Sequence, residues 1–188
     1  TYPHISEADQ KLKDKLLFSG LEPAGFAEPL RRMRAETKIF HLKNIPLQVE
    51  EQKLITAHDK VMGAQTVVWK GEEKTVRFME TVLGNPEREI RRQGWELVAA
   101  RQLADREIIN HQWQQFMQLR LQMAKNAAQP DYRTYRWQQL ARFAYSPADC
   151  KNFHSAIEKT AVPAVNRLSE KRKDRLGIKS LRYFDLFA

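Results

Sequence analysis

The sequence predicts a mostly α-helical fold, a lobe built as a bundle of long helices with one small β-hairpin at residues 65–76. Apolar residues recur at helical spacing over most of the chain, and the 7 glycines and 8 prolines fall between these periodic segments. One segment alone is rich in β-branched and aromatic residues. A chain of 188 residues can bury a core, so we expect residues 1–188 to form a single helical region.

Three helices are expected before the hairpin. The first runs from Ser6, a possible N-cap, to Phe18. A basic helix follows from Glu28 to Lys43, and Asn44-Ile45-Pro46 interrupts it because proline has no amide donor. The third continues to Gly63, so the last two should form a kinked or broken rod.

The hairpin is predicted from two short segments, Gln65 to Trp69 and Lys74 to Val76. The residues between them place the turn at Lys70-Gly71. Because a hairpin alone is marginally stable in water, this one should lie against helices or pair with something outside the chain.

One long helix is predicted after the hairpin. Asn85-Pro86-Glu87 has the residues of a helix start, and no strong breaker follows until Pro130. About 40 residues at ~1.5 Å each would make a rod of roughly 60 Å, which must span a larger body or bend. The residues of its expected apolar face are Ile109, Trp113, Phe116, Met117, Met123, Ala124 and Ala127.

Two more helices are expected near the end of the sequence. One covers Tyr132 to Phe143. The other begins at the capping sequence Ser146-Pro147-Ala148-Asp149, should bend at Pro163 and should stop at Gly177. Its apolar residues with helical spacing are Phe153, Ile157, Ala161, Ala164 and Leu168.

Several classes of protein are disfavoured by composition. No apolar run approaches the ~20 residues of a membrane span, and Thr1-Tyr2-Pro3-His4 does not begin a secretory leader. The lone Cys150 cannot form an internal disulfide. We therefore expect no membrane partner and a cytoplasmic location.

The net charge is +9, and the stretch Lys151 to Arg182 alone has nine basic and three acidic residues. At 100° per residue, its basic side chains spread around most of a helix circumference, whereas a phosphate-binding surface would concentrate them on one stripe. A solvated helix end is favoured, and nucleic acid is an unlikely partner.

The residues alone predict no catalytic and no metal-binding site. None of the five histidines, which are His4, His41, His58, His111 and His154, has another three or four residues away, and no His-Glu-x-x-His motif or glycine-rich phosphate loop occurs. We interpret Cys150 as unreactive, since no positioned base accompanies it. Trp113, Trp137, Tyr132 and Tyr135 are expected in the core, although they could also stack on bases or line a peptide groove.

Residues 40–188 contain segments that match a known family in order and spacing. The most specific is Tyr132-Arg133-x-Tyr135-x-Trp137-x-x-Leu140-x-Arg142-Phe143-x-Tyr145-Ser146-Pro147-x-Asp149-Cys150, with Phe153-His154-x-Ala156-Ile157-Glu158 and Val162-Pro163. The others are Asn44-Ile45-Pro46-Leu47, Met62-Gly63-Ala64-Gln65-Thr66-Val67, Gly71-Glu72-Glu73-Lys74-Thr75, Leu103-Ala104-Asp105-Arg106, Leu176-Gly177 and Leu181-Arg182-Tyr183-Phe184-Asp185-Leu186. Together they resemble the oligoendopeptidase F and Pz-peptidase branch of the thimet-oligopeptidase-like zinc metallopeptidases.

The resemblance implies an enzyme that hydrolyses short peptides in a deep channel between helical lobes. In that family the zinc ligands and the substrate-binding Tyr and His follow a Leu-Arg-Pro-Trp-Asp-Leu segment, to which residues 181–186 correspond, with Tyr183 for the proline and Phe184 for the tryptophan. No catalytic, metal or substrate-binding residue can therefore be transferred to this chain. We expect a fragment-like helical lobe that precedes a zinc-binding catalytic domain, with zinc only in the complete enzyme, and inactive alone.

Two alternatives stay open at this point. The chain could be a stand-alone basic module that binds nucleic acid or another acidic partner through Lys151 to Arg182. It could also be a structural piece that assembles with a separately encoded catalytic half. If the chain is part of a peptidase, whether of one polypeptide or of an assembly of two, the faces that normally contact the catalytic half would be exposed and could cause self-association.

Overall fold

The structure is a computed structural model that describes residues 2–187 and confirms a mostly α-helical fold with one small hairpin. The helices and strands of this part of the chain are α1 (Tyr2–Phe18), α2 (Ala27–Ile39), α3 (Asn44–Gly63), β1 (Thr66–Trp69), β2 (Glu72–Thr75), α4 (Val76–Val82), α5 (Arg88–Ala104), α6 (Arg106–Asn126), α7 (Tyr132–Gln139) and α8 (Pro147–Arg175). A 3₁₀ turn follows at Tyr183–Asp185.

The chain divides into two compact units. Unit 1 comprises Thr1–His58 and Asn110–Ser146, and unit 2 comprises Asp59–Ile109 and Pro147–Ala188. The divisions fall inside α3 and α6, so each of these helices contributes residues to both units.

Unit 1 has a core in which α2, α6 and α7 contribute buried side chains. These are Ile39, Met123, Ala124, Ala127 and Tyr135, with Leu47 and Tyr132 packed beside them. The buried Asn44 side chain donates to the Met123 carbonyl at 3.0 Å and accepts from Asn126 at 2.9 Å. The start of α3 is thereby fixed to the end of α6 without a buried unpaired polar group.

Unit 2 has a core between the hairpin, α4 and α5. Its buried residues are Val67, Met79 and Val82, with Trp69, Ile90 and Val98 packed against them. The two strands are antiparallel with Thr66 opposite Thr75, and Lys70 and Gly71 turn the chain with φ angles of 52° and 84°. Positive φ at both central residues is the tight turn that matches the twist of paired strands. The predicted turn is confirmed, and the hairpin lies against helices.

Gly94 lies where α5 approaches α4 closely. A Cβ placed on it would come within 2.8 Å of a Val82 methyl group. The absence of a side chain at Gly94 therefore lets the two helices pack closely.

Three predicted boundaries before the hairpin are wrong. Helix α1 begins at Tyr2, with Pro3 in its first turn, and Ser6 lies inside the helix. Helix α2 ends at Ile39 because Phe40 is extended, with φ −67° and ψ 134°. Pro46 does not interrupt a rod but lies in the first turn of α3, where a missing amide hydrogen costs no helical hydrogen bond.

The predicted rod after Asn85 is also wrong. It consists of α5 and α6, separated at Asp105, whose amide bonds to Gln102 while its carboxylate accepts from Gln65 at 2.9 Å and pairs with Arg101 at 2.8 Å. Asn85 accepts from the Glu87 amide ahead of the helix. Helix α4, which was not predicted, starts at Val76 and is capped by Thr75, whose hydroxyl accepts from the Phe78 amide at 3.1 Å.

The last two helices follow the prediction more closely. Helix α7 begins at Tyr132, capped by Asp131, but it ends at Gln139 and Ala141 has a φ of 50°. Helix α8 begins at Pro147, contains Pro163 and is followed by Gly177, whose φ of 63° ends it as predicted.

Candidate functional site

Helix α8 presents an exposed apolar stripe, which comprises Phe153, Ile157, Ala161, Ala164 and Leu168. Helical spacing puts these residues on one side of the helix. Phe153 and Leu168 are 64% and 65% exposed, and no residue of α8 is buried. This stripe is unusual for a helix of 29 residues, because most helices cover their apolar side.

The most heavily buried polar group in unit 2 is the carboxylate of Asp185, which has no exposed surface. Arg88 of α5 donates to both of its oxygens at 2.9 Å, and the Arg182 backbone amide donates to Oδ2 at 2.9 Å. We call Arg88, Arg91 and Asp185 the Asp185 clasp. It fastens the segment after α8 to α5.

Arg91 completes the clasp and is itself only 2% exposed. Its Nη2 donates to Asp185 Oδ1 at 3.3 Å, and its Nε donates to the Phe184 carbonyl at 2.8 Å. Its Nη1 donates to the Asn85 and Pro86 carbonyls at 2.8 and 3.0 Å. A buried charge is tolerated only when it is paired and hydrogen-bonded in this way.

The clasp should make unit 2 sensitive to acid. Burial acts to raise the pKa of Asp185, but hydrogen bonds from Arg88, the Arg182 amide and Arg91 outweigh it and hold the pKa below its ordinary value. A carboxyl with a lowered folded-state pKa contributes stability above its unfolded pKa of about 4 and loses that contribution as the pH falls through the folded-state value. Urea unfolding from pH 6 to pH 2 should therefore show a stability loss below about pH 4.

The control for this pH dependence is Asp185→Asn, which cannot titrate at this position. The variant should be less stable at pH 6 and should show a smaller further loss on acidification. Equal pH slopes for the variant and the original chain would contradict the assignment to Asp185.

Sequence reasoning identified Leu181 to Leu186 only as part of a resemblance and missed the role of Asp185. The one local signal of this role is that Asp185 lies between an aromatic and an aliphatic residue. If such an aspartate is buried, its carboxylate needs a cationic partner. The partners lie more than 90 residues earlier in the chain, so the sequence does not reveal them.

A polar cavity of about 350 Å³ in unit 1 is lined in part by Lys13, Arg32 and Glu36. Burial acts to raise the pKa of Glu36, but hydrogen bonds from Lys13 and Arg32 hold it below its ordinary value. Burial acts to lower the pKa of Lys13, but hydrogen bonds to Asp9 and Glu36 raise it. These charges are paired with one another, which is the arrangement of a structural ion-pair network.

The predicted aromatic core is only partly correct. Tyr135 is 3% exposed and stacks on Tyr132 with ring centroids 5.9 Å apart, and Trp137 meets Tyr145 edge-on at 5.3 Å. Trp113, by contrast, is 58% exposed, so its predicted place in the core is wrong. The side of α6 that is buried carries Gln112, Phe116 and Met123 instead.

Within the part of the chain that the structure describes, the histidines do not take part in a metal-binding cluster. His58 lies 3.2 Å from Gln112, and within residues 2–187 no group of three or more His, Cys, Asp or Glu side chains could hold a metal ion. Cys150 is half-buried and free, and its lack of reactivity stays a prediction. The described residues therefore do not fit zinc.

Across residues 2–187, none of the helices combines the length and the apolar character that crossing a bilayer requires.

The model of peptidase family M3 matches residues 81–187, which is more than half of the chain. The chain belongs to peptidase family M3. The match covers the hairpin's supporting helix α5, all of α6 to α8 and the Asp185 clasp. No curated protein matches the chain.

Two solved structures are similar to this chain over nearly all of its length. A protein assigned as oligoendopeptidase F from Bacillus anthracis str. Ames has a TM-score of 0.89 at 16% identity and covers 100% of this chain and 35% of its own. Pz peptidase A, with inhibitor 2, has a TM-score of 0.91 at 21% identity and covers 97% of this chain and 33% of its own. The M3 chain thus spans about a third of the length of these structures, and at these identities the likeness shows the fold.

Proposed function

We propose that this M3 chain is the helical lobe of an oligoendopeptidase and that it forms one wall of a channel for short peptides. Two observations together support the proposal, namely the family membership and the structural similarity over nearly the whole chain. The chain belongs to a peptidase family, and 100% and 97% of it superimpose on about a third of each of two peptidase structures.

The chemistry of hydrolysis belongs, in this proposal, to polypeptide outside residues 1–188. The donors within residues 2–187 do not group into a zinc site, so zinc would be bound by the catalytic part alone. The role of residues 1–188 is then to shape and close the channel. We also propose that residues 1–188 act as one lobe, are inactive alone and work in the cytoplasm.

Antibody depletion of the native protein from a cell extract tests this function. Antibodies raised against the purified chain should remove a chelator-sensitive activity on short peptides, and the captured material should contain a His-Glu-x-x-His sequence. Antibodies raised against an unrelated protein are the control. Captured protein without that motif and without peptidase activity would overturn the proposal.

A further inference from the structure

We propose that the α8 stripe and the groove beside the last turns of α8 bind an acidic, apolar polypeptide surface. The inference rests on the proposed function, since the occupant it names is the catalytic part of the same peptidase. Nothing in the family match assigns a role to this surface.

Helix α8 packs only weakly against the other helices and strands within residues 2–187. The helix has 29 residues, about 43 Å at 1.5 Å per residue, and takes part in none of the main contacts between helices and strands of this part of the chain. Helices gain most of their stability from packing of their apolar side, and Pro163 removes one of the internal hydrogen bonds. A stable α8 therefore requires a partner along its stripe.

A groove lies where the stripe ends. It has a volume of about 420 Å³, and its apolar lining residues are Val165, Leu168 and Leu186. Lys171 and Arg172 also line it, and Arg172 donates to the Leu186 carbonyl at 2.9 Å, which joins the helix to the segment after it. Apolar and cationic lining residues together suit an apolar side chain flanked by carboxylates.

Charge decides between the possible occupants. Lys171 and Arg172 line the groove, so a second copy of this surface would bring like charges together. Lys171 lies eighteen residues after Phe153, five helical turns later, and therefore on the same side as the stripe. A nucleic acid would satisfy the cations but would leave Phe153 and Leu168 without an apolar partner. An acidic protein surface satisfies both.

Binding of designed peptides to the purified chain tests the surface. The probe is a 21-residue labelled helical peptide with leucines on one side and glutamates beside them. The comparison probes are the same peptide with lysines in place of the glutamates and a DNA duplex. Fluorescence anisotropy at fixed salt should show the acidic peptide binding at least about tenfold tighter than either comparison probe.

Matched variants separate the stripe from the rest of α8. Leu168→Ser should weaken binding of the acidic peptide by about tenfold, while Val162→Ser, on the opposite side of the helix from Phe153, should change it less than about twofold. Lys171→Glu should likewise weaken binding more than Lys159→Glu. Circular dichroism of each variant verifies that its helix content is retained.

Several results would overturn the proposal. Equal effects of the two serine variants, or tighter binding to the duplex with no effect of Leu168→Ser, would remove the apolar surface from the interaction. A dimer of the chain that Leu168→Ser disrupts would make a second copy the occupant. These outcomes do not depend on the depletion experiment, so failure of the peptidase function and failure of this surface are distinguishable.

Discussion

Asp185→Ala should destabilise unit 2 by about 3–5 kcal/mol. The substitution leaves the guanidinium of Arg91, 2% exposed, in a buried place without its carboxylate. It also releases Arg88 and the Arg182 amide, so the segment after α8 loses its carboxylate contacts with α5 and keeps only contacts such as that of Arg91 with the Phe184 carbonyl. Urea unfolding followed by tryptophan fluorescence measures the effect, because Trp95 of α5 contacts Phe184 with centroids 5.9 Å apart.

A matched control lies on the same helix. Arg92 pairs with Glu96 at 2.7 Å, but both side chains are exposed. Exposed pairs contribute little to stability, so Glu96→Ala should leave the unfolding midpoint unchanged. A midpoint shift for Asp185→Ala no larger than that for Glu96→Ala would show that the clasp does not hold unit 2 together.

Backbone amides of α8 should exchange with deuterium about two orders of magnitude faster than those of α5 in the purified chain. The two helices differ in packing, since α5 buries Arg91 and Gly94 while α8 buries no residue. A helix without an apolar contact opens at little free-energy cost, and each opening exposes its amides. Exchange followed by mass spectrometry of peptides from both helices measures the ratio.

The exchange measurement has an internal control in α6, which buries Gln112, Phe116 and Met123 and should resemble α5. Addition of the acidic peptide described above should slow exchange in α8 and leave α5 unchanged. Equal protection of α8 and α5 in the chain alone would mean that α8 already has a packing partner and does not need a further one along its stripe.

Local signals predicted much of this fold. The Lys70-Gly71 turn, the start of α8 at Pro147 and its end before Gly177 each depend on the backbone preferences of a few residues. Such preferences act over short distances, so they are readable in order along the chain.

Features set by distant contacts were not predictable in this way. The break at Asp105 has neither proline nor glycine and coincides with carboxylate contacts to Gln65 and Arg101. Helix α4 has only seven residues and is held by the burial of Met79 and Val82. The helical period of α6 identified its apolar residues but not which side is covered, so the exposure of Trp113 could not be inferred.

If zinc binding and hydrolysis reside outside residues 1–188 of this M3 protein, the purified chain should neither hold stoichiometric zinc nor hydrolyse peptides. Zinc is measured by mass spectrometry, and hydrolysis is followed with a fluorogenic short peptide. We expect less than about one zinc per ten chains and no hydrolysis above buffer. One zinc per chain, together with peptide hydrolysis that a chelator abolishes, would show that residues 1–188 hold the catalytic centre themselves.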